Sequence, residues 1–304
     1  MHLPYLRILI PLAFVLCVLA VHLRGRKRLK FSRQLFDHSA LFAPYNLVMY
    51  GFSAVPGRAF VDPNTMPSLA PLAANWTTIR DEAKQLLEAG GIRASDRHDD
   101  ASFNSFFKQG WKRFYLKWYG DALPSAERAC PRTVALVDAI PEVKAAMFAL
   151  LPPGSKLNPH RDPFAGSLRY HLGLITPNSD ACNITVDGET YSWRDGEPVV
   201  FDETFVHWAE NTTDQTRVIL FCDVERPLRT GVMRAVNRAV SRVLGHATAS
   251  PNDAAEPVGA VNRLYAALHR SGETTKRWRK RYPVPYRVAK YALIAIVLYA
   301  IVLW

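Results

Sequence analysis

Between residues 146 and 224 the chain breaks into short apolar runs separated by turn residues, and this pattern leaves few folds open to it. The runs 146–151, 168–175, 182–186, 190–193, 198–202 and 216–224 are mostly rich in Val, Ile, Phe and Tyr. Such residues suit the pleated, half-buried surface of a strand. Asp187 and Gly188 separate two runs and form a strong hairpin signal, because both residue types tolerate positive φ. Asp195 and Gly196 mark another turn. Six or so short strands at this spacing predict a sandwich or jelly roll.

Helical signals flank this region. Ile79, Ala83, Leu86 and Leu87 recur at helical spacing within 78–89, Thr78 and Asp81 suggest a capped start, and Gly90 with Gly91 a stop. A strand is expected over 111–119 and a short helix over 133–140. Residues 92–110 read as a polar loop. Pro44, Pro56, Pro63, Pro67 and Pro71 exclude a long helix from 25–72. Past Pro227, helices are expected over 230–244, where Arg234, Arg238 and Arg242 recur every fourth residue, and over 259–270. Residues 245–257 read as a flexible linker.

The chain ends carry a different message. Residues 8–23 are almost wholly apolar and are followed by a cluster from Arg24 to Lys30 in which only Gly25 and Leu29 are not basic. A second apolar run, 291–304, follows Lys276, Arg277, Arg279, Lys280 and Arg281. These lengths predict membrane attachment at both ends, and the flanking cations put residues 24–290 in the cytoplasm. A cleaved signal peptide is the alternative for the first run, but its strong basic cluster follows the apolar stretch instead of preceding it. The net charge of +11 calls for anionic partners. No helix-turn-helix, zinc-finger or RNA-recognition pattern accompanies that charge, so no nucleic-acid partner is expected. The expected organisation is an N-terminal transmembrane helix over 1–24, a juxtamembrane and helical lead-in over 25–110, a β core over 111–227, a basic helical segment over 228–286 and a C-terminal membrane segment over 287–304. Cys17, Cys130, Cys182 and Cys222 have neither metal-ligand nor disulfide-framework spacing, which fits reduced thiols.

Chemistry concentrates in the β region. His160 and Asp162 form an H-x-D pair, and in an extended segment both point to one face. His207 follows 45 residues after Asp162. Two histidines and a carboxylate are the ligand set of a facial triad that leaves positions open on iron(II). An H-x-D pair alone is weak, and its surroundings strengthen it. In the strand 168–174, apolar residues alternate with Arg169, His171 and Gly173. One face is therefore core, and the other presents a cation, an imidazole and a gap. Arg217 lies on the strand that starts at Thr216; a buried arginine needs an anion, and a dicarboxylate cosubstrate would supply one. Structural ion pairing or solvation is the alternative role for Arg169, His171 and Arg217.

The blocks Leu151 to Asp162, Leu168 to Leu174, Trp193 to Glu197 and Phe201 to His207, followed by Arg217, resemble the aspartyl/asparaginyl β-hydroxylase family. The resemblance covers roughly residues 110–227. It implies a double-stranded β-helix core with flanking helices and a dioxygenase that uses Fe(II), 2-oxoglutarate and O2. It further implies His160 and His207 as iron ligands, with Arg169, His171 and Arg217 holding 2-oxoglutarate. The animal protein-hydroxylating members have glycine where this chain has Asp162, so here the carboxylate restores a full triad. The block from His160 to His171, together with the apolar ends, is more similar to the bacterial lipid A hydroxylase branch. That branch implies 2-hydroxylation of a lipid A acyl chain at the cytoplasmic face of the bacterial inner membrane. Asp or Asn hydroxylation in a protein substrate is the alternative.

Overall fold

The β region builds two facing antiparallel sheets. The computed structural model describes residues 6–35, 38–95, 99–120, 122–282 and 285. The strands are β1 Phe60–Val61, β2 Lys112–Trp118, β3 Val143–Leu151, β4 Ser155–His160, β5 Ser167–Ile175, β6 Cys182–Val186, β7 Glu189–Ser192, β8 Pro198–Phe201, β9 His207–Asn211 and β10 Arg217–Glu225. The major sheet runs β1-β8-β5-β10-β3-β2 and the minor sheet β4-β9-β6-β7. From β3 to β10 the chain winds back and forth between the sheets as a jelly roll, the double-stranded β-helix arrangement. Asp187 (φ 51°) and Gly188 (φ 91°) form the expected two-residue hairpin between β6 and β7.

Alternation along β5 and β10 decides what each face of the major sheet carries. Leu168, Tyr170, Leu172, Leu174, Val218, Leu220, Cys222 and Val224 turn outward into a buried cluster covered by helices. Ile219 and the β3 residues Met147, Ala149 and Leu151 turn inward, onto Leu157, Ile184, Val186 and Ala209 of the minor sheet. Arg169 and His171 share that inward face. The gap at Gly173 is filled by backbone: an added Cβ would lie 2.0 Å from Arg194 O.

The helices are α1 Leu6–Leu23, α2 Phe31–Leu35, α3 His38–Leu41, α4 Ala43–Gly51, α5 Ala70–Ala74, α6 Trp76–Glu88, α7 Asn104–Phe107, α8 Pro124–Ala129, α9 Pro131–Asp138, α10 Gly231–Thr248 and α11 Ala260–Arg281. Helix α6 starts two residues before Thr78, and Asn75 at its N-cap makes no side-chain cap. It lays Ile79, Ala83 and Leu86 on the outer core. Its buried Glu82 accepts hydrogen bonds from Thr133 N (2.8 Å) and Thr133 Oγ1 (2.6 Å), satisfying a donor at the start of α9.

Residues 245–257, expected as a flexible linker, are tied into the core instead. Asn252 covers the free edge of β2: its Oδ1 accepts from Tyr115 N (2.8 Å) and its Nδ2 donates to Tyr115 O (2.7 Å). Glu256 Oε2 in turn accepts from Asn252 N (2.7 Å).

The apolar run within 1–24 forms α1, packed on one side only. Val18 and Val21 are buried with Ala40 and Ala43, while Leu9, Leu12, Leu16 and Leu19 are exposed. Among the described residues no helix is long and apolar enough to cross a membrane, which corrects the expected N-terminal span. The expected C-terminal segment 287–304 lies outside the described residues.

The basic segment that follows α1 is docked onto the jelly roll. Arg24 Nη2 meets Asp202 Oδ2 at 2.7 Å, its Nη1 donates to Thr204 Oγ1 (2.7 Å), and its guanidinium lies 3.8 Å from the centre of the Phe205 ring. Arg226 reaches the same Asp202 oxygen at 2.9 Å. Arg161 donates to Arg24 O (2.9 Å) and Thr204 O (3.0 Å), and Asp187 Oδ1 accepts from Arg26 N and Lys27 N. Burial works to raise the Asp202 carboxyl, but Arg226 and Arg24 outweigh it and hold the group well below the usual carboxylate range. Its ionised form therefore contributes stability at neutral pH, and the contribution is lost only as pH falls toward that depressed folded-state value. Asp202→Asn leaves two arginines short of a counter-ion and is expected to lower stability by about 3–5 kcal/mol at pH 7, with a much smaller difference from wild type in strong acid. Urea denaturation at both pH values measures this.

Candidate metal centre

The two sheets bring His160, Asp162 and His207 together. His160 ends β4, His207 begins β9, and the two are direct cross-strand partners after a register shift past Leu157. Ligand atoms of the three side chains lie within 4.8 Å of one another. The imidazole centroids are 4.2 Å apart, and His160 Nε2 is 3.6 Å from Asp162 Oδ1. Each histidine uses the same local device to aim its ring. His160 Nδ1–H donates to Asn158 O (2.7 Å), and His207 Nδ1–H donates to Phe205 O (3.0 Å). Both Nε2 atoms are thereby left as acceptors facing the group, the arrangement that suits metal-ligating histidines. Burial, with His160 alongside, lowers the His207 pKa to about 3, so its imidazole is neutral at physiological pH and protons compete weakly for it. Two imidazoles and one carboxylate could hold a divalent metal ion with positions left open.

Asp162 is fixed from two sides. Its backbone N donates to Glu203 O (3.0 Å), and its Oδ2 accepts from Arg169 Nη2 (2.8 Å). Arg169 Nε also lies 2.9 Å from Asp223 Oδ1, an ion pair off the hydrogen-bonding direction. Tyr119 Oη donates to the other Asp223 oxygen (2.9 Å). Burial opposes the Arg169 charge, but Asp223 and Asp162 raise its pKa above the usual value.

Arg217 and His171 are placed differently. Arg217 is 2 % exposed, its Nε has no hydrogen-bond partner, and no ion pair to it occurs among the described residues. Its guanidinium lies 4.4 Å from the centre of the Trp193 ring, and burial lowers its pKa to about 10. His171 is packed against Phe221 and Phe201, and neither ring nitrogen has a hydrogen-bond partner among the described residues. Burial, then Arg169 and Arg217, push its pKa well down, so the ring is neutral. Trp193 Nε1 is likewise buried without a partner. All three line one cavity with the His160, Asp162 and His207 cluster. Buried polar groups in native proteins are nearly always satisfied, so several orphans converging on one cavity fit a polar ligand. A small dicarboxylate matches this donor set.

The family described as Aspartyl/Asparaginyl beta-hydroxylase has a sequence model that matches residues 73–227, which is 155 of 304 residues. The chain belongs to the aspartyl/asparaginyl β-hydroxylase family. The chain is 36% identical over 185 residues to the ornithine lipid ester-linked acyl 2-hydroxylase of Rhizobium tropici, covering 59% of this chain and 64% of that protein. It is 30% identical over 169 residues to the aspartyl/asparaginyl beta-hydroxylase of Homo sapiens, covering 54% of this chain and 22% of that one. The match spans less than two thirds of either relative. A Pseudomonas putida prolyl-4-hydroxylase aligns at a TM-score of 0.34 and 19% identity, over 50% of this chain and 87% of that one.

In this family member, all six sequence-predicted residues line the one cavity. Arg169 differs from the expectation in its contacts: two carboxylates engage it, so it orients Asp162. Residues missed in the sequence are Asp223, Tyr119, Glu203 and Phe106. Asp223 had a signal, since it is the one carboxylate inside the apolar stretch 218–224; in the structure it faces Arg169 directly across β10 and β5. Glu203 is buried, and burial pushes its carboxyl up to about 8. The Phe106 ring meets His160 edge-on at 4.9 Å. Cobalt(II) titration followed by visible absorption is expected to show no site in His207→Ala. Asp223→Asn, which only loosens the Arg169 support of Asp162, is expected to weaken binding about 10–100-fold.

Proposed function

We propose that the chain is an Fe(II)- and 2-oxoglutarate-dependent hydroxylase of membrane-lipid acyl chains. It acts on lipid A or a chemically related acylated lipid at the cytoplasmic face of the bacterial inner membrane, and its product is a 2-hydroxyacyl chain. One observation carries the lipid reading: the segment that follows the apolar helix α1 is docked next to the metal centre. Arg24 locks the segment after α1 to Asp202 and Thr204, just ahead of His207, and Arg33 of α2 donates to Pro159 O (3.2 Å), next to His160. A site fastened to an exposed apolar helix suits a substrate drawn from a bilayer. The Rhizobium tropici relative, whose name specifies acyl 2-hydroxylation of a lipid, supports the substrate class. So does the cavity wall of Phe106, Trp111, Leu157 and Ile184, which suits hydrocarbon.

In this reading His160, Asp162 and His207 hold the metal, and Arg217 with His171 holds the cosubstrate. Bound there, iron and 2-oxoglutarate supply the activation of O2, one oxygen atom ending in the new hydroxyl group and the other in succinate as CO2 leaves. The chain's own residues do the rest. Arg217 offers a planar fork to a carboxylate in a water-poor pocket, where its charge counts most. Neutral His171 donates or accepts one hydrogen bond without adding charge. Arg169 keeps the Asp162 carboxylate turned to the metal position, and the aromatic wall excludes water from the reacting centre.

Mass spectrometry of total lipids from cells with and without the gene tests the proposal. The expected result is one added oxygen atom on an acyl-chain fragment, and separate lipid A and ornithine-lipid fractions tell the two headgroup classes apart. Unchanged lipids alongside a hydroxylated Asp or Asn in a cellular peptide would replace this reading with protein hydroxylation. For the cosubstrate, Arg217→Met is expected to keep cobalt(II) binding and lose the thermal stabilisation that 2-oxoglutarate gives the wild-type protein.

A further inference from the structure

Helices α10 and α11 are inside out. On α10 the residues that face the protein are Asn237, Ser241 and Gly245, all polar or small. Asn237 Nδ2 donates to Gly166 O (2.9 Å) and its Oδ1 accepts from Tyr45 Oη (2.6 Å); a Cβ on Gly245 would lie 2.0 Å from the Tyr119 Cβ. The opposite side carries Val232, Val236 and Val243, of which Val232 and Val243 are each 68% exposed. Helix α11 repeats the arrangement. Buried Asn262 donates to Thr248 O and Ala249 O, while Val261, Leu264 and Leu268 are exposed, Leu264 at 60%. A surface helix ordinarily buries its apolar stripe and exposes its polar one. Two consecutive helices that reverse the rule, and pack against each other, leave an apolar face that nothing covers among the described residues.

We propose that this face seats on an anionic lipid bilayer, as a second membrane contact separate from α1. This rests on the membrane-lipid reading above. The charge distribution selects the occupant. Residues 231–248 and 260–272 contain no Asp or Glu, and exposed Arg242 and Arg263 lie beside the apolar residues. Arginines beside a valine and leucine face can snorkel to lipid phosphates while the apolar side chains enter the acyl boundary. A second copy of the chain would bring the same cations against each other. Helix α4 links the two contacts: it packs on α1, its Tyr45 bonds to α10, and Phe52 O just past its end accepts from Arg229 N (2.9 Å).

The test uses the full-length protein with Cys17→Ser, labelled with bimane at Val243→Cys or Leu268→Cys. The other three cysteines are buried. Probes at Leu16→Cys on α1 and Lys84→Cys on the exposed side of α6 serve as references. Vesicles contain equal parts phosphatidylcholine and phosphatidylglycerol with brominated acyl chains. The expected result is quenching at 243 and 268 several-fold above that at 84, and weaker quenching on phosphatidylcholine alone. Quenching at 16 but not at 243 or 268 would overturn this inference and leave the membrane-lipid reading standing. No quenching at any position would count against both. A lipid-free, concentration-dependent blue shift at 243 with a dimer in sedimentation would assign the face to a second copy. A functional check accompanies the probes. Val243→Asp is expected to keep wild-type turnover on detergent-dispersed lipid and lose it several-fold on vesicles; equal loss on both would overturn the inference.

Discussion

A carboxylate with 1% exposure can remain charged in a protein interior only when cations surround it, and Asp202 has two. Those cations are far apart in the sequence. Arg24 follows α1, and Arg226 follows β10. The turn they clamp, 202–204, leads directly into His207 and supplies the Glu203 carbonyl that holds the Asp162 backbone. One buried ion triplet thus joins the N-terminal segment, the end of the major sheet and two of the three residues of the metal cluster. Much else in the molecule is ordinary sandwich packing that would survive without it; the docking of the segment after α1 would not.

Polar groups in the site divide into engaged and unengaged. Arg169, Asp162 and Asp223 satisfy one another, with Tyr119 closing the chain of contacts. Arg217, His171 and Trp193 satisfy nothing among the described residues. The division separates the part that holds the site in shape from the part built for a guest. It could not be drawn from residue types, because an arginine on an inward strand face reads the same whichever role it has. Cross-strand register decides the matter: Asp223 faces Arg169 across β10 and β5, whereas no described carboxylate reaches Arg217.

Much of the β core was legible in the sequence where burial is two-sided. Strands β5 and β10 are apolar on one face and chemically specific on the other, so alternation exposed both their extent and their site residues. Strands β4 and β9 were missed, since Ser155 to His160 and His207 to Asn211 contain few β-branched residues and owe their extension to pairing with each other. Residues 245–257 were misread for a related reason. Composition does not distinguish a polar residue in water from one whose hydrogen bonds are all met inside, and Asn252 is of the second kind. The apolar N-terminal run was correctly read as helical, yet its packing on α4 and its tie to Asp202 depend on partners distant in sequence.

The two histidines of the cluster and the unengaged polar residues stand on different sheets. His160 and His207 belong to the minor sheet, while His171 and Arg217 belong to the major one, and the sheets are kept apart by Ile184, Ala209, Ile219 and their neighbours. The inner core is therefore a spacer whose thickness sets how long a molecule must be to touch both walls. Swapping an alanine there for a valine, or an isoleucine for a valine, would change no group that does chemistry. It would change only the width of the gap between the two walls.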